Sequence, residues 1–228
     1  MCDNHIYDNA CDADCNVCGN VRTVKHAYKT TLTKATLSKN GSIVKKCSVC
    51  GKTESTSVIY SPKTFKLSAT SYTYSGGYKK PTVTVKDSKG KTLKNGTDYT
   101  VSYKNNKNVG TATATVTFKG KYSGSKKLSF TIKPKDTSLS KLTVGKKRLT
   151  VSWKKNSSVS GYQIQYSTSN RFSSPKTVTV KSYKTTSLTL KNLKSKKAYY
   201  VRIRTYKTVN GKKIYSDWSA KALKKTTK

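Results

Sequence analysis

Glutamate occurs once in these 228 residues, at Glu54, and histidine twice, at His5 and His26. General acid–base catalysis draws heavily on those residue types, so most hydrolytic and transfer schemes lose their proton carriers at the outset. Long apolar runs are missing too. Hydrophobic residues make up 33% of the chain, and no stretch approaches the roughly eighteen apolar residues of a membrane-spanning helix. The opening MCDNHIYDNACDADCNVCGN is polar and cysteine-rich, so no secretion signal is read there. Helical periodicity is absent over any useful length. Ser, Thr, Tyr, Val and Lys dominate instead, which is strand and turn chemistry. Sixteen tyrosines and long alternating stretches exclude a disordered chain.

Acidic residues are scarce in general: 9 Asp and Glu against 47 Lys and Arg, a net charge of +38. The excess is uneven, at +3 over residues 1–60, +13 over 61–134 and +22 over 135–228. Such a chain attracts polyanions, whether nucleic acid, anionic membrane, acidic cell-wall polymer or sulfated glycan. A solvated lysine coat that discourages edge-to-edge strand pairing is the plainer use of the same residues. Arginine is confined to Arg22, Arg148, Arg171, Arg202 and Arg204. Base readout leans on arginine forks, so no specific nucleic-acid partner is expected.

Three segments separate. All six cysteines lie in residues 1–60, a Cys-free stretch runs from 61 to 134, and a polar passage from Lys135 leads into 135–228. In the middle segment Val83 and Val85, then Tyr99, Val101 and Tyr103, alternate with polar residues. Ala112, Ala114, Val116 and Phe118 share a face, as do Leu128, Phe130 and Ile132. Asp87-Ser88-Lys89-Gly90 reads as a turn and Asn105 to Gly110 as a loop tolerant of positive φ. Period two with one buried face predicts antiparallel β-structure. The runs DYTVSYKNN and NVGTATATVTFKGKYSGS, with the closing apolar strand, resemble small Ig-like β modules that repeat along surface and secreted proteins of gut Firmicutes.

In the last segment Leu149, Val151 and Trp153 alternate, followed by Tyr162, Ile164 and Tyr166, then Val178 and Val180, Leu188 and Leu190, and Tyr199, Val201 and Ile203. Asn210-Gly211 is a hairpin signal. The order and spacing resemble a fibronectin type III domain. That resemblance implies a core role for Trp153, and for Tyr199, six residues after Leu193, a corner role in which its hydroxyl ties back to the backbone. Tyr200, Arg202, Arg204 and Tyr206 fall on the opposite face, where the resemblance implies that Arg202 or Arg204 stacks on Trp218 of the neighbouring strand. No Arg-Gly-Asp tripeptide occurs, so integrin-type adhesion has no support.

The cysteine segment carries the densest chemistry. Cys15-Asn16-Val17-Cys18-Gly19 and Cys47-Ser48-Val49-Cys50-Gly51 are CxxCG knuckles. This spacing lets two sulfurs reach one ion, and the glycine permits a tight turn that aims backbone N–H groups at the thiolates. His5-Ile6-Tyr7 precedes Cys11, Cys15 and Cys18, and His26-Ala27-Tyr28 precedes Cys47 and Cys50, so the segment reads as two repeats. One ribbon site built from Cys15, Cys18, Cys47 and Cys50 competes with one site per repeat, and Cys2 is left open as a ligand. Disulfides are the rival use of the cysteines. The metal reading assigns His5, Cys11, Cys15, Cys18, His26, Cys47 and Cys50 to structural zinc, which would replace the core that a polar segment of this size cannot build. Glu54 stands alone and Asp12 and Asp14 read as turn residues, so a catalytic metal is not expected. His26 beside Cys18 or Cys47 lacks an orienting third group for nucleophilic catalysis.

HIYDNACDADCNVCGNVRTVKHAY resembles Cys/His repeats of the same bacterial surface proteins, and HAYKTTLTKATLSKNGSIVKKCSVCG resembles a relative that carries Cys where Leu37 stands and often a later histidine. The second site is therefore expected to be one ligand short. Together these readings imply an all-β chain: a zinc-ribbon-like segment, an Ig-like module and a fibronectin type III domain. They imply a non-catalytic extracellular fragment, a binding or spacer protein at the cell surface whose partners are anionic cell-wall polymer or acidic glycan. The alternative is a set of C-terminal accessory modules from a larger secreted hydrolase.

Overall fold

A computed structural model describes residues 4–219, 223–226 and 228, so Cys2 lies outside the described residues. The described chain is all strand and turn, as the alternation predicts.

Residues group into two compact units, one of Met1–Ser68, Thr82–Ser102 and Thr115–Leu128, the other of Ala69–Pro81, Tyr103–Ala114 and Ser129–Lys228. The first contains an antiparallel meander of β1 (Tyr28–Thr33), β2 (Gly41–Cys47) and β3 (Thr53–Ile59). Its outer strands are mostly exposed, and Gly41, Cys47 and Ile59 are the buried positions among the three strands. The meander thus has almost no apolar core of its own. Gly41 is required by space rather than by φ: a Cβ there would overlap the Thr33 carbonyl and the Ala35 nitrogen.

β4 (Pro62–Leu67) pairs antiparallel with β6 (Val83–Asp87). Asp87 is buried because its carboxylate closes the predicted turn, accepting the Lys89 and Lys91 backbone N–H groups at 2.9 Å each. The Tyr99 hydroxyl donates to the Val83 carbonyl at 2.8 Å. Phe118 meets Phe65, Tyr99 and Tyr122 edge-on or tilted at 6.1–6.3 Å.

A four-stranded sheet has the order β5 (Ser71–Thr73), β9 (Ser125–Lys133), β8 (Gly110–Phe118), β7 (Tyr99–Lys104). Ala112, Ala114, Val116 and Phe118 all point inward, as expected. The expectation of a purely antiparallel segment needs correction, because β5 runs parallel to β9 with Tyr72 opposite Ile132. Only three residues long, β5 shows too little alternation for its direction to be read from sequence.

In the second unit β10 (Leu139–Gly145), β11 (Arg148–Trp153) and β14 (Ser187–Leu190) form one sheet. The facing sheet has the order β13 (Lys176–Val180), β12 (Gly161–Ser167), β15 (Ala198–Val209), β16 (Lys212–Tyr215), and β17 (Leu223–Thr226) also pairs with β15. Leu149, Val151, Trp153, Tyr162, Ile164, Val201 and Ile203 fill the space between the sheets. Asn210 and Gly211 take φ of 48° and 75°, the positive values the predicted hairpin needs. The passage at Lys135 is pinned: its carbonyl accepts from Thr205 Oγ1 at 2.8 Å and Asn156 Nδ2 at 2.9 Å.

Candidate metal centre

The two knuckles are built alike. Gly19 and Gly51, at φ 66° and 75°, donate their N–H groups to the Cys15 and Cys47 carbonyls at 2.8 and 3.1 Å. Each turn is tied to the residue after its histidine: Asn16 N–H donates to the Ile6 carbonyl and Ser48 N–H to the Ala27 carbonyl, both at 2.9 Å. The isolated bridge Asp14–Val21 corresponds to the pair Lys46–Thr53 of β2 and β3. His5 lies against Tyr7 and His26 against Tyr28, with Arg22 over the first tyrosine ring at 3.6 Å and Lys45 over the second at 5.3 Å. The internal repeat read from the sequence is thus a repeat of backbone geometry.

Each knuckle gathers its own histidine. Cys18 Sγ lies 3.3 Å from His5 Nδ1, and Cys50 Sγ lies 3.4 Å from His26 Nδ1. Two donor groups result: His5, Cys15 and Cys18, and separately Cys11, His26, Cys47 and Cys50, with the donor atoms of each within 4.8 Å of one another. The described residues do not bring Cys15, Cys18, Cys47 and Cys50 into one cluster. A fourth potential donor joins the second group: Cys11 of the first repeat places its sulfur 3.3 Å from Cys47 Sγ, while Leu37 is exposed and outside the group. That separation exceeds the about 2.05 Å of a disulfide, and none of the five described cysteines is disulfide-bonded. Sequence reasoning included Cys11 as a ligand but had no local signal to place it with the second knuckle.

The local field suits thiolates at Cys47 and Cys15 but not at Cys11. The Cys50 and Val49 backbone N–H groups draw the Cys47 thiol down to about 5 against some opposing burial. At Cys15 burial pushes up, but the Val17 and Cys18 N–H groups and His5 prevail and bring it down to about 6. Burial, with hydrogen bonds to Cys47 and Cys50, pushes Cys11 up to about 11. Asp12 serves as a turn residue, accepting from Asp8 and Asp14 N–H. Both groups are near enough to hold a metal ion.

In the sandwich, Arg202 and Arg204 stack on Trp218 at 4.7 and 4.3 Å, as expected, and bond Gln165 and Gln163. Trp218 itself lies in the irregular link between β16 and β17 rather than in a strand. Tyr206, expected on the open face, is buried beside Tyr215. The Tyr199 hydroxyl accepts the Lys194 backbone N–H at 3.1 Å, the corner tie that the resemblance implies.

Residues 132–221 match the model of the fibronectin type III domain family. A fibronectin type III domain occupies that part of the chain, and the whole is a modular β protein. Among solved structures the chain is similar to the FN1–FN3 domains of chicken CNTN1, with 15% identity, a TM-score of 0.36 and coverage of 82% of this chain and 77% of that one. It is also similar to domains A168–A170 of titin, at 13% identity, TM-score 0.32 and coverage of 92% and 86%. A two-domain fibronectin type III segment of chicken tenascin shows 16% identity, TM-score 0.37 and coverage of 89% and 98%. No curated protein matches.

Proposed function

We propose that this chain is a non-catalytic extracellular spacer and binding protein of a cell surface, held on anionic polymer by its lysines. The supporting observation is the imbalance of charge: 47 cations face 9 acids, which leaves a net excess of 38 positive charges that no acid of the chain neutralises. Two pairs are formed among the described residues, Lys45–Glu54 at 2.6 Å and Lys133–Asp217 at 2.7 Å. The buried Asp87 carboxylate bonds backbone N–H groups. The excess charge would meet phosphate or carboxylate groups of a wall polymer or acidic glycan, with affinity driven by counterion release. A groove lined in part by Tyr78, Lys107, Lys212 and Lys213 offers cations beside an exposed aromatic ring.

The Cys/His groups hold structural zinc in this reading. Imidazole and thiolate donors at tetrahedral spacing suit that ion, which would stabilise a segment with little apolar core. The residues are His5, Cys15 and Cys18 in one group and Cys11, His26, Cys47 and Cys50 in the other. Modules of the fibronectin type III kind are commonly extracellular, in keeping with a surface role.

The test is sedimentation with purified bacterial cell wall before and after removal of teichoic acid. Retention should fall at least about tenfold between 0.1 and 1 M salt and be lost on stripped wall. Equal retention on stripped wall, or at 1 M salt, would reduce the lysines to a solvated coat.

A further inference from the structure

We propose that the second zinc site is completed across the repeat boundary, so that one ion bonded by Cys11, His26, Cys47 and Cys50 staples the first repeat to the second. This rests on the reading that the Cys/His groups bind zinc, and it adds which sulfur belongs to which ion.

Five observations converge. The four donor atoms lie within 4.8 Å of one another. Cys11 Sγ–Cys47 Sγ at 3.3 Å and Cys50 Sγ–His26 Nδ1 at 3.4 Å approach the donor separations of about 3.4–3.8 Å expected around a tetrahedral ion with bonds of 2.0–2.3 Å. Three thiolates and one imidazole make a closed set with no position left for substrate, which is the structural kind.

Cys11 is also presented independently of the second repeat. Its backbone N–H donates to Asn9 Oδ1 at 2.8 Å, and the Arg22 guanidinium holds the same turn by donating to the Asn9 and Asp12 carbonyls at 2.8 and 2.9 Å. Arg22 in turn lies on Tyr7. The turn that carries Cys11 is therefore built from first-repeat residues, while its sulfur is delivered to second-repeat donors.

The first knuckle, finally, has His5 and Cys18 in contact without Cys11. In an array of such repeats each ion would fasten its own unit to the one before it. Metal loading would then set the order of the array as well as the fold of each repeat.

The test is residue-resolved alkylation of the reduced full-length chain with limiting iodoacetamide, read by peptide mass spectrometry with and without Zn²⁺. In the wild type Zn²⁺ should protect Cys11, Cys47 and Cys50. Cys11→Ser should raise labelling of Cys47 and Cys50 by tenfold or more and leave Cys15 and Cys18 as in the wild type. Cys11→His, which keeps a ligand, should restore protection at Cys47 and Cys50. Unchanged labelling of Cys47 and Cys50 in Cys11→Ser overturns the cross-repeat wiring while leaving zinc binding intact. A rise confined to Cys15 and Cys18 assigns Cys11 to the first site and also overturns it. Loss of protection that Cys11→His does not reverse overturns the ligand role. Absence of any Zn²⁺ protection in the wild type defeats the zinc reading itself, and the wiring with it.

Discussion

Ala35 pairs with Tyr122 in a parallel bridge: Ala35 N–H donates to the Lys121 carbonyl at 3.0 Å, and Ser123 N–H donates to the Ala35 carbonyl at 2.9 Å. Ala35 is completely buried. The link after β1 is therefore stitched to the loop between β8 and β9, and both belong to the same compact unit. Ala35→Pro removes one of these donors and inserts a ring where no space exists. It should cost about 2–3 kcal/mol of that unit's stability. Hydrogen exchange should show Ser123 losing protection, whereas unchanged exchange there would mean that the bridge contributes nothing.

On the proposed zinc reading, chelation should expose the first repeat to trypsin at Arg22 and Lys25 and leave the fibronectin type III domain folded. Both tryptophans, Trp153 and Trp218, lie in that domain, so tryptophan fluorescence reports on it alone. Proteolysis without a fluorescence change is the expected result. A simultaneous fluorescence shift would show that the metal supports far more of the chain.

Trp153 is buried against Tyr162 at 5.3 Å, and its Nε1–H has no hydrogen-bond partner among the described residues. Trp153→Ala should destabilise the domain by about 3–5 kcal/mol as a large core truncation. Trp153→Phe should cost only about 1–2 kcal/mol, because removing an unsatisfied donor offsets part of the lost packing. Urea unfolding measures both, and equal costs would show that the indole N–H is satisfied by water.

Tyr199→Phe should cost about 1 kcal/mol. The lost bond is to the Lys194 N–H, and Lys194 is exposed, so water can replace the hydroxyl. A loss above about 3 kcal/mol would point to a buried network around the hydroxyl instead.

Much of this architecture is a local matter and was open to sequence reading. Alternation at Leu149–Trp153 and Ala112–Phe118 marks inward faces because side chains on a strand point alternately to either side. Asn210-Gly211 and Asp87–Gly90 are legible because positive φ and side-chain-capped turns demand those residues. The CxxCG spacing, and the histidine and tyrosine before each knuckle, likewise mark two equivalent half-sites within short stretches of chain.

What the sequence alone determined is therefore the all-β character, the repeat, the buried faces and the kinds of donor atom available. Only the tertiary structure decided which partner each local piece meets. The parallel pairing of β5 with β9 joins strands more than fifty residues apart, and Trp218 reaches its arginines from a link between strands. Cys11 sits four residues before its own knuckle yet lies against Cys47, 36 positions along. Spacing restricts which atoms can meet only over the few residues where the backbone has little freedom. Over 36 residues the meeting point is set by the hydrogen bonds that hold both ends, the Arg22-pinned turn at one and the Ala27–Ser48 tie at the other.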